Sequence, residues 1–219
     1  MATGRSMQLT RQIGEHLVAA ELGRRGYVAA PFAGNVPMFD LLAADVRGYS
    51  VPVQVKAINS GGSWQFNADT YLKIEFLENK QIIKGNVPLL NPELLCIFVL
   101  VKDDGTDEFY IFYLRDLQQK IAMHYGDYLK LKGGQRPKRP ESKHCALSPT
   151  DLKAFRDNWK LVKNCFPPDS DSKDERQIMH IPPRVTPTKS SSRRNEKAKR
   201  AKSHESQSGG KASGNVVRC

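Results

Sequence analysis

Hydrophobic positions along the chain change period several times, and each change marks an element. From Leu9 to Arg25 the residues Ile13, Leu17, Ala20 and Leu22 recur at helical spacing. Thr10 stands where a cap is needed, and Gly26 follows Arg24-Arg25 as a stop, so the pattern predicts a helix over 9–25. The spacing then becomes that of strands. Tyr27–Phe32 is short and apolar, and Ala33-Gly34-Asn35 is a turn sequence. Phe39–Ala44 and Val51–Ala57 read as the two arms of a hairpin that turns at Arg47-Gly48. Leu94–Val101 (LLCIFVLV) is apolar at every position, the pattern of a central strand covered on both faces. Asp103-Asp104-Gly105 turns it into a further strand, Glu108–Leu114.

Arg115 to about Tyr125 predicts a short helix. Residues 130–144 are broken by Gly and Pro and read as a basic loop. Ser148-Pro149-Thr150-Asp151 suits a helix start, and Leu152, Phe155, Trp159 and Val162 space a packed face up to Cys165. From Pro167 onward periodicity stops and Ser, Lys, Arg, Pro and Gly dominate, the composition of a disordered tail. The order is helix, three strands, an undefined middle, two strands and closing helices. It predicts an α/β fold around one mixed sheet flanked by helices, in a domain of residues 1–166 followed by a basic tail, 167–219.

Charge sharpens this division. Of the net +11 carried by 219 residues, the tail holds +6 and the domain +5, although nearly all the core-forming residues belong to the domain. Such a balance favours phosphate-bearing partners, because Lys and Arg release condensed counterions from a polyanion; a merely solubilising charge is the alternative. Cys96, Cys145, Cys165 and Cys219 form no CxxC pair, so neither a disulfide framework nor a zinc site is expected, and a reducing cytoplasm is the simplest setting. An apolar run of about 18 residues is absent, which speaks against a membrane partner.

Asp40 breaks this tidy pattern. It sits in an apolar strand between Phe39 and Leu41, where a lone carboxylate is costly. Lys56 ends an equally apolar strand, and Gln54, two residues earlier, shares its face. If the two strands pair, Asp40, Gln54 and Lys56 converge at one end of the sheet. A buried Asp40–Lys56 ion pair would account for the same residues without any chemistry.

An acidic helix residue, then Asp, then a strand reading Gln-x-Lys resembles the PD-(D/E)xK phosphodiesterase superfamily, which includes restriction endonucleases and Holliday-junction resolvases. Gly14-Glu15-His16-Leu17-Val18-Ala19-Ala20-Glu21-Leu22 with Gly26-Tyr27 is similar to the first helix and strand of its resolvase-like branch. Phe39–Ala43 is similar to the Asp strand, and Gln54-Val55-Lys56 to the second motif. The likeness runs on through Ser63-Trp64-Gln65-Phe66 to the closing helix with Trp159 and covers roughly residues 9–165. It implies a restriction-endonuclease-like α-β-β-β-α-β core and a metal-dependent DNA endonuclease acting in foreign-DNA processing, repair or recombination. Asp40, Gln54, the main-chain carbonyl of Val55 and Glu15 would then hold Mg²⁺ or Mn²⁺. Lys56 would serve the attacking water, and double-stranded or branched DNA would be the partner, with a homodimer as one arrangement. The sequence departs from the family at Gln54, where an acid is usual, and at Pro37-Met38-Phe39-Asp40, where Pro does not directly precede Asp. A nucleic-acid-binding module of the same fold that has lost its chemistry is therefore the alternative.

Further residues suit DNA contact. Asn59, Ser60 and Trp64 surround Gly61-Gly62 just after the second motif, where an aromatic could stack on a base, although a core Trp fits as well. Lys130, Lys132, Arg136, Lys138 and Arg139 of the basic loop could hold phosphates without reading sequence.

Overall fold

The computed structural model describes residues 4–32 and 38–168. These belong to one unit, Met1–Asp171. The turn read at Ala33-Gly34-Asn35 and the tail beyond Pro168 lie outside the described residues.

Strict alternation along the central strands builds a two-sided core. A five-stranded sheet is formed by β1 (Val28–Pro31), β2 (Leu41–Ala44), β3 (Ser50–Asn59) and, after a long crossover, β7 (Leu95–Val101) and β8 (Glu108–Tyr113). Their order is β1-β2-β3-β7-β8, antiparallel throughout except for the parallel pair β3–β7. The expected mixed sheet with flanking helices is thus present. On β7, Leu95, Ile97 and Val99 pack on one face with Val53, Val55, Ile111 and the helix residues Val18 and Leu22. Cys96, Phe98 and Leu100 pack on the other with Trp64, Phe112 and the helix residues Leu117, Ile121 and Tyr125. A strand buried on both faces has no polar position to spare, which is why it reads as an unbroken apolar run.

The crossover from β3 to β7 contains strands rather than a helix. It comprises β4 (Trp64–Asn67), a 3₁₀ turn (Ala68–Thr70) and the hairpin β5 (Leu72–Leu77) with β6 (Lys80–Asn86). The second long helix, α2 (Leu114–Leu131), follows β8 and presents Leu117, Ile121, Tyr125 and Leu129 as an every-fourth-residue stripe. It runs past the predicted end at Tyr125, so Lys130 lies on its last turn, 3.4 Å from Asp127, rather than in the loop. The chain then returns as β9 (His144–Leu147), antiparallel to β4.

Two sequence expectations need correction. The first helix, α1, spans Gly4–Arg24, and Thr10 lies inside it, its hydroxyl donating to the Ser6 carbonyl at 3.0 Å. The packed stripe of α1 is Thr10, Gly14, Val18 and Leu22, all buried, whereas Ile13 is 37% exposed. Of the residues read at helical spacing, Leu22 belongs to this stripe and Leu17 packs beside it, whereas Ile13 and Ala20 face outward. The continuous helix expected from 148 to 165 is instead a 3₁₀ turn (Lys153–Phe155) and a short α3 (Lys160–Asn164). Between them Asp157 takes a left-handed φ of 54° and donates its N–H to the Phe109 carbonyl at 2.8 Å. The chain bends around β8, so Leu152 and Phe155 join one core face while Trp159 and Val162 join the other.

Among the described residues, Cys96, Cys145 and Cys165 are free thiols. No helix there is long and apolar enough to cross a membrane.

Candidate metal and phosphate site

Strand β3 outruns β2. Their pairing ends at Leu41↔Val53, whereas β3 continues beside β7 to Asn59. Asp40 closes the ladder: its N–H donates to the Val53 carbonyl at 2.9 Å, and its Oδ2 accepts the Val55 N–H at 2.8 Å. A side-chain carboxylate therefore stands in for the missing strand. Alternating strand geometry turns the Val55 carbonyl toward the same edge. Just before Asp40, Met38 holds a left-handed φ of 77°, a conformation that costs about 1–3 kcal/mol in a non-glycine residue and is concentrated at functional sites.

The first helix crosses this edge closely. A Cβ placed on Gly14 would lie 2.5 Å from the Ala57 Cβ, so only glycine allows α1 to seat here. The next residue, Glu15, is buried, and its Oε1 accepts a hydrogen bond from Arg11 Nε at 2.8 Å. Nη2 of the same guanidinium donates to Asp40 Oδ1 at 2.9 Å. Arg11 thus bridges the two carboxylates that the family resemblance implies as ligands of one metal. The bond to Glu15, and after it the field of Asp40, raise the pKa of this guanidinium above its ordinary value. One residue before Arg11 on α1, Thr10 is tied to the end of β3 through Asn59, whose amide donates to its hydroxyl at 3.0 Å.

Gln54 and Lys56 lie on the opposite parity of β3 from Val55 and line the same cleft of about 830 Å³ as Arg11, Asp40 and the 59–65 segment. Beside Gln54 on the adjacent strand lies Cys96, its Sγ 3.9 Å from Oε1; burial pushes that thiol far up, so it stays neutral. The Lys56 ammonium sits 5.6 Å from the centre of the Phe66 ring, and among the described residues it forms no ion pair. The Asp40–Lys56 pair considered from sequence is replaced by Asp40–Arg11. Glu21, the other acidic residue of α1, is engaged by Arg24 and Arg25 and takes no part.

The remaining candidates divide. Asn59 and Ser60 are exposed at the cleft rim. Trp64 is only 1% exposed and has no free ring face for a base; its indole N–H instead donates to the Lys56 carbonyl at 3.2 Å. Lys130, Lys132, Arg136, Lys138 and Arg139 do not line this cleft. Arg136 is spent on structure, stacked 4.8 Å above Tyr128 and donating to the His144 carbonyl. Lys132, Lys138 and Arg139 are exposed. The segment that carries them feeds into β9, which joins the cleft rim through a His144–Gln65 hydrogen bond.

Arg11 and Gly14 are what the sequence reading missed. Arg11 had one legible signal, its position four residues before Glu15, where helical neighbours form ion pairs. Gly14 supports a prediction: Gly14→Ala should force α1 away from β3 and destabilise the fold by about 1–3 kcal/mol, the usual cost of overpacking. Urea denaturation of the two forms measures this, and an unchanged midpoint would show that the close seating is dispensable.

No protein-family model matches the chain, and no curated protein matches it. A solved structure similar to this one is a bacterial homing endonuclease, I-Ssp6803I, with 15% sequence identity and a TM-score of 0.42 over 73% of this chain and 95% of that chain.

Proposed function

We propose that residues 1–166 form a Mg²⁺- or Mn²⁺-dependent DNA endonuclease of the PD-(D/E)xK type. The observation that carries this reading is the meeting of Glu15 and Asp40 on one guanidinium, beside Gln54, the Val55 edge of β3 and an ammonium with no ion-pair partner among the described residues. Two carboxylates, an amide oxygen and a main-chain carbonyl make an all-oxygen donor set. That chemistry suits a hard cation satisfied by one or two carboxylates, waters and phosphate oxygens.

Asp40, Glu15, Gln54 and the Val55 carbonyl would hold the ion. When bound, it supplies charge to a phosphoryl oxygen and lowers the pKa of a coordinated water. Lys56 orients the attacking water and places positive charge beside the phosphoryl oxygens, where negative charge grows in the transition state. Water adds to phosphorus, the bond from phosphorus to the 3′ oxygen breaks, and a proton passes to that oxygen. The ends left are a 5′-phosphate and a 3′-hydroxyl. Asn59 and Ser60 contact the strand at the cleft rim, while Lys132, Lys138 and Arg139 hold flanking phosphates and set position rather than sequence.

One observation favours a second reading. Gln54 is neutral where the family carries an acid, and a site with reduced charge would bind DNA without cutting it. Incubating the full chain with plasmid, linear, single-stranded and branched DNA in Mg²⁺, Mn²⁺ or EDTA separates the two. Cleavage in either metal that stops in EDTA and in Lys56→Ala is the expected result. Retained DNA binding with every substrate intact would establish the binding module instead.

A further inference from the structure

Arg11 has no role in the site inferred from sequence, yet it stands at its centre. Its Nε and Nη2 are the two donors along one edge of a planar group, the edge that ordinarily grips both oxygens of a single carboxylate. Here that edge takes one oxygen from Glu15 at 2.8 Å and one from Asp40 at 2.9 Å. Two carboxylates from different elements thereby meet on one cationic group. The exposures are uneven: the Glu15 and Asp40 side chains are 12% and 13% exposed, and that of Arg11 is 46%. The acids are fixed, by burial on α1 and by the Val55 N–H, while the guanidinium occupies the solvent side of the group and can withdraw without uncovering the core.

We propose that Arg11 is an internal counterion that occupies the cation position between Glu15 and Asp40 and competes with a divalent ion for it. This inference rests on the reading of Glu15 and Asp40 as metal ligands. Without metal, Arg11 neutralises two carboxylates that would otherwise repel each other across the end of β2, and it keeps the site assembled. A divalent ion takes both carboxylates only after the guanidinium has let go, so Arg11 sets the metal concentration at which the site fills. Released, it stays tethered four residues from Glu15 at the mouth of the cleft, positively charged and on the side from which a phosphate enters.

Binding of Mn²⁺ alone to the full chain tests this, by calorimetry and by electron paramagnetic resonance of the free ion, in the native protein and in Arg11→Met, Arg11→Lys and Asp40→Asn. Arg11→Met removes the competing charge at similar length and should bind Mn²⁺ about tenfold more tightly than the native protein, since a charge-assisted hydrogen bond contributes on the order of a factor of ten or more. Arg11→Lys, which keeps the charge but not the two-donor edge, should fall between them, and Asp40→Asn should abolish binding. In EDTA, Arg11→Met should melt below the native protein, and added Mn²⁺ should reverse that order. If Arg11→Met fails to fold in EDTA, Arg11→Lys carries the comparison. Equal or weaker Mn²⁺ binding in both Arg11 variants, with binding still lost in Asp40→Asn, would overturn the competition and leave the metal site standing. If neither the native protein nor any Arg11 variant takes up Mn²⁺, the metal reading itself fails, and this inference fails with it.

Discussion

Under the proposed function, Asp40→Ala should abolish metal-dependent DNA cleavage, a loss on the order of a thousandfold or more, since a group acting directly on developing charge is worth about 10²–10³ in rate and Asp40 is proposed to hold the ion as well. The alanine variant also strips the Val55 N–H of its acceptor, which costs about 1–3 kcal/mol for a strand donor left unsatisfied. A loss of activity on its own would therefore be ambiguous. Asp40→Asn resolves it, because the amide oxygen can still accept from Val55 while the charge is gone. The expected outcome is an asparagine variant that melts closer to the native protein than the alanine variant does, yet cleaves no better than it. Measured rates on one plasmid substrate, with melting curves for all three proteins, check this. Substantial cleavage by Asp40→Asn would remove Asp40 from the metal site and leave it as a strand cap.

The largest effect on stability is expected at Trp64. It is almost wholly buried against Phe98 and Tyr110, with ring centres 5.4 and 5.3 Å away, and it anchors β4 to the sheet. Trp64→Ala should cost about 3–5 kcal/mol, the range for large aromatic deletions in cores. Against a typical total of about 5–15 kcal/mol, that places the variant near the edge of folding. Trp64→Phe retains most of the packing but drops the indole N–H that holds the Lys56 carbonyl, for about 0.5–1.5 kcal/mol. The two substitutions should therefore separate in guanidinium midpoints, and comparable losses in both would show that the hydrogen bond rather than the packing dominates.

Trp64 also marks the limit of what the sequence disclosed. An aromatic beside two glycines, just past the catalytic-type strand, fits a stacking platform and a core anchor equally, and only the paths of β4 and β9 decide between them. β2, β3, β7 and β8 were legible because alternating or unbroken apolar runs follow from burial on one or both faces. Their register also placed Asp40, Gln54 and Lys56 together. α1 was legible as a helix and in the C-terminal part of its facing, through Leu17 and Leu22, but not at Thr10 and Gly14, because its contact row needs threonine and glycine where the sheet comes closest. The division of 152–162 between two core faces was hidden, since residues at helical spacing reach different layers once Asp157 bends the chain. β5 and β6 left little trace because few of their residues are buried, and β9 because it is only four residues long. The closing contact between Glu15 and Asp40 depends on a cation that the chain itself provides, and pattern reasoning directed at ligands passes over such a residue.

The parallel pairing of β3 with β7 has a consequence for the newly made chain. Glu15, Asp40, Gln54 and Lys56 emerge from the ribosome before the strand that clamps β3 from its other side, which begins at Leu95. At about 5–20 residues per second, translation leaves a matter of seconds during which all four residues exist without the platform that aligns them. A parallel ladder closed over so long a loop also forms slowly once its strands are available. A fragment that stops before β7 would thus carry the whole candidate site in its sequence but lack the strand that holds β3 in the sheet.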